Sequence, residues 1–305
     1  MKKLKGIYAA TVVPLNKNKS IDKKSLNIHI KNIINTTGIK GLLLNGHAGE
    51  NFTLTANEQI EIIKVAKKYK KDDKKIISGL NFEDSTFASM VAKNMEKAGA
   101  DAILIFPPFS WAQGVTSDMI FNHHKIICNQ IKKPVFLYQS SIYSGHLSYK
   151  KETLKKLLKI NNVLGVKEGS WNYKNYVNNY NFFKKNKKNF LVMASGDEHL
   201  YPCFKYGSDG SQVSIAAIVP DKVVELIEKI NNKKYKEAKI IDKYLLSLAK
   251  NIYGRYPQNF ATARIKYCLK ILKKIPNETM RSSIILDKIE KKQLDKSLKF
   301  LKLKS

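Results

Sequence analysis

Arginine is scarce in this chain of 305 residues. Only Arg255, Arg264 and Arg281 stand among 55 basic residues, so a formal charge of +30 is carried almost wholly by lysine. Readers of nucleic-acid grooves and phosphates lean on the bidentate arginine fork, and the lysines here are spread along the whole chain rather than gathered in a stripe. No nucleic-acid partner is expected. Lysine on solvated helix faces accounts for the charge, and the positive field favours anionic small-molecule substrates. Cysteine is also sparse. Cys128, Cys203 and Cys268 are odd in number and far apart, which gives neither a disulfide framework nor a zinc spacing and fits a reducing cytoplasm. His123 and His124 are neighbours on an expected helix and face apart, so no metal site is expected. No stretch approaches the roughly 20 continuous apolar residues of a membrane span, so no membrane partner is expected. The N-terminal "MKKLKGIYAATVVPL" starts basic, but its apolar segment breaks at Pro14 and reads as a first strand rather than a leader.

What is present is a large apolar complement, 43% of the residues, arranged in a recurring order. Strand-like apolar runs occur at 6–13, 39–44, 75–79, 101–105, 134–138, 163–167, 190–194 and 210–215, with amphipathic stretches between them. "LTANEQIEIIKVAKKYK" carries Thr55 and Glu58 at capping-box spacing. "STFASMVAKNMEKAGA" ends at Gly99 as a helix terminus does, and Ser148 stands where an N-cap is wanted before "YKKETLKKLLKI". The repeat is about 30 residues, one β-strand with its return helix. Eight such units predict an α/β fold, a (β/α)8 TIM barrel, because strands covered on both faces are continuously apolar. A doubly wound open sheet is the alternative. From about Asn232 the pattern is helical only, through "KKYKEAKIIDKYLLSLAKNI", "FATARIKYCLKIL" and "RSSIILDKIEKKQLDKSLKFLK". The expected organisation is thus a catalytic barrel over residues 1–231 and a C-terminal helical appendage, 232–305, packed on it.

In such a barrel the reactive groups gather where strands end and βα loops begin. Those ends read "NGHAGEN", "FPPFSWAQG", "YQSSIYSG", "KEGSW" and "SGDEH". Taken singly, His47 and Tyr138 read as structural loop and rim residues. Lys167 is different, since it closes a buried strand in "NNVLGVKEGSW". Desolvation disfavours an ammonium, so its pKa should fall, and a neutral amine in a dry pocket attacks carbonyls. A lysine paired to Glu168 or Asp197 that merely stabilises the barrel is the other option, and spacing leaves both open.

The ordered set "TVVPL", Gly46-x-x-Gly49-Glu50, "LYQ" with Tyr138, "GVKE" with Lys167, "SGDE" and "GSDGSQVSIAAIVP" resembles the dihydrodipicolinate synthase / N-acetylneuraminate lyase family of pyruvate-dependent class I aldolases, over nearly the whole chain. The resemblance implies that Lys167 forms an imine with a 2-oxo acid, usually pyruvate, and that Tyr138 moves protons. It implies that the loop with His47, Ala48 and Gly49 grips the carboxylate, with Phe109, Tyr143 and Gln212 among the substrate-binding positions. Such an iminium is itself the electron sink, so no cofactor is required. The resemblance also implies a homodimer or homotetramer, with Trp111 near the subunit contact.

The chain departs from that pattern where true dihydrodipicolinate synthases carry two adjacent threonines (here His47 and Ala48), a relay tyrosine (here Phe109) and a carboxylate-binding arginine (here Tyr143). Loss of those hydroxyls and of the arginine fork points to a different Schiff-base lyase, aldolase or dehydratase of 2-oxo acids, with His47 taking part of the relay. Genuine 4-hydroxy-tetrahydrodipicolinate synthase activity, condensing pyruvate with aspartate semialdehyde, is the alternative within enzymes. A non-catalytic 2-oxo-acid-binding barrel is the alternative outside them.

Overall fold

A computed structural model describes residues 2–302. Eight parallel strands, β1 (Gly6–Ala10), β2 (Ile39–Leu44), β3 (Lys75–Leu80), β4 (Ala102–Ile105), β5 (Val135–Gln139), β6 (Val163–Glu168), β7 (Leu191–Ala194) and β8 (Gly210–Val213), close in sequence order, with β8 back on β1. The returning helices are α1 (Lys23–Ile34), α2 (Ala56–Tyr69), α3 (Ser85–Ala98), α4 (Ser117–Gln130), α5 (Lys151–Leu157), α6 (Tyr173–Asn186) and α7 (Leu200–Tyr206). A short α8 (Ile215–Ile218) and α9 (Pro220–Asn231) follow β8. The fold is a (β/α)8 barrel, and the open sheet is excluded because no strand is left at an edge. No described helix is long and apolar enough to cross a membrane.

Local chemistry sets these elements. Thr55 and Glu58 cap each other at the start of α2, with Thr55 N–H donating to Glu58 Oε2 at 2.9 Å and Glu58 N–H to Thr55 Oγ1 at 3.2 Å. Gly99 ends α3 in the left-handed region at φ 119°. Gly79 admits Phe106 to the barrel mouth, since a Cβ there would lie 2.8 Å from the Phe106 ring and 2.1 Å from Asn45 O.

Three expectations are corrected. The first strand stops at Ala10 and the last at Val213, short of the apolar runs that suggested them, because those runs continue into the βα turns. Ser148 does not cap α5. Lys150 holds that position, and Ser148 Oγ instead accepts from Gln139 Nε2 at 3.0 Å, bracing the turn after β5. The last helical stretch does not begin near Arg281. That residue lies in irregular chain, where its guanidinium bonds Thr53 O at 2.7 Å and Glu58 Oε2 at 2.8 Å.

Beyond Asn231 come α10 (Tyr235–Tyr253), α11 (Ala261–Ile271) and α12 (Lys288–Lys302). They pack on the barrel through α9 and through the loop after β2. Thr262 Oγ1 donates to His47 O at 3.2 Å, and Lys266 meets Glu50 in a buried ion pair. These helices therefore hold the loop that carries His47 and Ala48.

Candidate active site

Strand register brings the chemistry together. Tyr138 on β5 is the direct partner of Lys167 on β6, and Lys167 in turn pairs with Met193 on β7. All three face the barrel interior along one sloping layer, since partners in register project to the same face and the strands are tilted. The layer opens onto a cavity of about 570 Å³ at the C-terminal end of the strands. Lys167, Tyr138, His47, Ala48, Phe109 and Gln212 all line it. Gly49 and Tyr143 are not brought to it. Gly49 faces Thr11 and Val13, and Tyr143 is 86% exposed on the turn after β5. Trp111 is buried and packs edge-on to His123 at 5.3 Å.

Lys167 is 9% exposed and, among the described residues, makes no hydrogen bond or ion pair. Its Nζ sits 5.6 Å from the Tyr138 ring centroid and 5.8 Å from that of Phe106. Burial among these rings lowers its pKa to about 8, against the opposing pull of the Asp197 charge. Roughly one amine in ten is then neutral at pH 7, far more than for a solvated lysine. Glu168, one of the two carboxylates that could have neutralised it, is turned to Asn179, whose Nδ2 donates at 2.7 Å.

Asp197 is the other carboxylate. It lies on the turn after β7, 4% exposed, with Oδ1 accepting from Ile215 N–H at 2.6 Å and from Ser214 Oγ at 3.2 Å. Burial raises its pKa to about 7, while those hydrogen bonds and the Lys167 charge resist the rise. Ser214 Oγ also meets the hydroxyl of Tyr253, which comes from α10. The Tyr253 ring packs on Trp171 at 4.6 Å. Tyr138 is pushed up to about 12 by burial, against hydrogen bonds with Ser140 and Trp171, so its phenol is protonated and available as a donor.

His47 stacks on Phe106 at 4.3 Å between ring centroids, meets Tyr138 edge-on at 5.5 Å and lies 6.3 Å from Phe109. Burial and then the Lys167 charge hold its pKa down at about 3. The imidazole is therefore neutral, a donor and an acceptor rather than a cation. Gly49 N–H is spent on Gly46 O at 2.9 Å and Glu50 N–H on His47 O at 3.0 Å. The N–H groups of His47 and Ala48 open this turn and have no acceptor within it.

Sequence reasoning passed over Ser214, Tyr253, Trp171 and Thr262, and saw in Asp197 only a charge partner. Asp197 and Ser214 lie just past β7 and β8, where the strand-end rule would have found them. Tyr253 and Thr262 arrive from the C-terminal helices, and no local signal marks them.

Residues 3–301 match the sequence profile of the Dihydrodipicolinate synthetase family. A 4-hydroxy-tetrahydrodipicolinate synthase of Karelsulcia muelleri is 30% identical over 243 residues, 77% of this chain and 79% of that one. One from Chlorobium phaeobacteroides is 27% identical over 98% of this chain and 97% of its own. Among solved structures, dihydrodipicolinate synthase from Aquifex aeolicus superposes with a TM-score of 0.86 at 22% identity, covering 98% of this chain and 99% of that one. N-acetylneuraminate lyase from Fusobacterium nucleatum does so at 0.82, also with 22% identity and the same coverage. The chain belongs to the dihydrodipicolinate synthetase family, whose members are class I lyases that form a lysine Schiff base with pyruvate.

Proposed function

We propose that the protein is a Schiff-base lyase or aldolase of 2-oxo acids, pyruvate or a relative of it, with Lys167 as nucleophile and Tyr138 as proton carrier. The observation that carries this is the pairing in register of a buried, unpartnered lysine with a protonated phenol at the mouth of the barrel. The neutral Lys167 amine adds to the keto carbon, and the carbinolamine loses water to give an iminium. That cation draws electrons from the neighbouring carbon. A C3 proton can leave to form an enamine, a C3–C4 bond can break with release of a carbonyl fragment, or a C4 hydroxyl can depart as water after C3 loses its proton. Tyr138 donates to the departing oxygen and takes the proton back. The substrate carboxylate lies against the His47–Ala48 turn, and His47, being neutral, orients rather than charges it. No cofactor enters these steps.

Condensation with aspartate semialdehyde, the activity named for the Karelsulcia and Chlorobium relatives, is the second reading. His47 and Ala48 stand in place of the two threonines, Phe109 in place of the relay tyrosine and Tyr143 in place of the arginine, and these replacements favour another acceptor or leaving group. The proposal includes a single catalytic unit, the barrel of residues 1–231 completed by 232–305, acting in the cytoplasm. Three buried free cysteines accord with that compartment. It also includes assembly as a homodimer or homotetramer through the apolar rim around Phe109 and Tyr143, which are 45% and 86% exposed.

Incubation with pyruvate and cyanoborohydride should add one reduced pyruvate to the chain, mapped to Lys167 by peptide mass spectrometry. An unmodified Lys167 after that treatment refutes the proposal and leaves a binding barrel without chemistry. A coupled assay with pyruvate and aspartate semialdehyde separates the two enzymatic readings.

A further inference from the structure

The turn after β6 reaches back to the hydroxyl of Tyr138 through a strained backbone. Gly169 N–H donates to Gln139 O at 2.8 Å. A Cβ on Gly169 would lie 3.2 Å from the Tyr138 hydroxyl oxygen and 3.0 Å from Cε2 of its ring, so any larger residue would crowd the phenol. Two residues on, Trp171 has φ 58°, and among the described residues it is the one aromatic with positive φ. A bulky side chain is seldom found in the left-handed region, and such strain persists where surrounding contacts over-determine it. Here the Tyr253 ring packs on the indole at 4.6 Å between centroids, and the Trp171 carbonyl oxygen lies 3.4 Å from His199 Nε2.

What the strained turn delivers is a hydrogen bond. The Tyr138 hydroxyl meets two side chains, Ser140 and Trp171, and all three residues line the cavity with Lys167. The two partners are not equivalent. A serine hydroxyl both gives and takes hydrogen bonds, and Ser140 Oγ also donates to Ser144 Oγ at 3.0 Å. An indole N–H only gives. It therefore bonds a lone pair of the Tyr138 oxygen whether or not the phenol carries its proton. Its hold tightens once the proton has left, because a hydrogen bond to a charged acceptor is about twice as strong as a neutral one.

We infer that Trp171 is a positioning residue that acts through Tyr138, its indole N–H steadying the phenolate left each time Tyr138 hands over its proton. The inference rests on the Schiff-base reading of Lys167 and Tyr138 and deepens it by naming what lets a buried phenol part with a proton. In the steps concerned, the Tyr138 proton passes to the oxygen that leaves the carbinolamine as water. The phenolate, bonded by Trp171, then takes a proton from C3 while the C3–H electrons flow to the iminium and form the enamine.

The experiment follows exchange of the methyl protons of pyruvate in heavy water by NMR, a reaction that needs the imine and the enamine but no second substrate. Trp171→Phe keeps a ring against Tyr253 and removes the N–H. It should slow exchange at saturating pyruvate by roughly 10–100-fold, the worth of one hydrogen bond to a charged group, with pyruvate still trapped on Lys167 by cyanoborohydride. In a Tyr138→Phe background there is no phenolate to hold, and the same substitution should change the remaining exchange by less than about threefold. Trp171→benzothienylalanine, in which sulfur replaces the N–H of the same bicyclic ring, is measured alongside so that lost packing in the phenylalanine variant does not decide the result. Equal losses in the two backgrounds would mean that Trp171 only shapes the cavity, and they overturn the inference. Exchange unaffected by the sulfur analogue overturns it too, as does a wild type that traps pyruvate without exchanging its protons. A wild type that traps no pyruvate is the different result that overturns the Schiff-base reading itself.

Discussion

Three lysines are buried among the described residues, Lys74, Lys167 and Lys266, and the last two have opposite surroundings. Lys266, on α11, is fully buried, with Nζ against the Glu50 carboxylate and 2.9 Å from Thr279 O. Burial lowers its pKa, and Glu50 opposes by charge and hydrogen bond. Glu50 is also held by Arg281 N–H at 3.1 Å. That lysine is a fastener between the loop after β2 and the C-terminal helices. Lys167 has almost the same burial and no such partner, because Glu168 turns to Asn179 and Asp197 is engaged with Ser214 and Ile215. In a chain this rich in lysine, burial alone does not make an amine reactive. On the proposed reading, burial with neither a carboxylate nor a carbonyl to bond does, and Lys74, which donates to Ile39 O at 2.7 Å, is tied where Lys167 is not.

The sharpest break of this comparison is to remove each amine in turn. Lys167→Met should lower turnover at least roughly 10³-fold, since no other group can form the imine, and should leave urea stability near that of wild type. Lys266→Met should do the reverse. It leaves Glu50 buried without a counter-charge and should cost about 3–5 kcal/mol of unfolding free energy, while the folded fraction still traps pyruvate on Lys167. Adduct formation that survives Lys167→Met and vanishes in a folded Lys266→Met would invert the assignment. Next in size is Tyr138→Phe, which keeps the ring beside Nζ and deletes only the hydroxyl. A fall of about 10²–10⁴ in turnover is expected, with the adduct still trapped. A change below tenfold would take the phenol out of the mechanism.

The same contrast explains what could be read before any coordinates. The barrel was legible because strands covered on both faces are written as apolar runs, and Lys167 stood out because it closes one of them. Thr55, Glu58 and Gly99 are local signals and lie where their spacing places them. Ser148 was misplaced because a serine before a helix can serve either the helix or the preceding turn, and here Gln139 claims it. Whether Lys167 was paired could not be read from spacing, since it depends on how Glu168 and Asp197 are turned by Asn179, Ser214 and Ile215. Tyr253 and Thr262 were out of reach for a further reason. Their contacts with Ser214 and His47 span 39 and 215 residues, and only packing of the appended helices creates them.

The finest sharpening concerns the one carboxylate whose charge Lys167 feels. Asp197 raises the Lys167 pKa from across the cavity, and burial raises its own to about 7. The two titrate as a pair. Below about pH 7 the carboxyl gains its proton and its pull on the ammonium fades. Between 7 and 8 it is charged and holds the amine protonated. Asp197→Asn keeps an oxygen for Ile215 N–H and removes the charge, so the Lys167 pKa should fall below its value of about 8, and imine trapping should reach half-maximum at lower pH. At pH 7 the rate should rise by about threefold. Stability carries the matching sign. A carboxyl with a folded pKa near 7 and an unfolded one near 4 contributes stability that is complete below pH 4 and lost as pH rises to 7. The asparagine variant should lack that loss and gain on wild type across the window in urea titrations. A trapping midpoint that stays in place or moves upward would mean that Asp197 does not tune the amine, and that desolvation by Phe106, Tyr138 and His47 alone sets its reactivity.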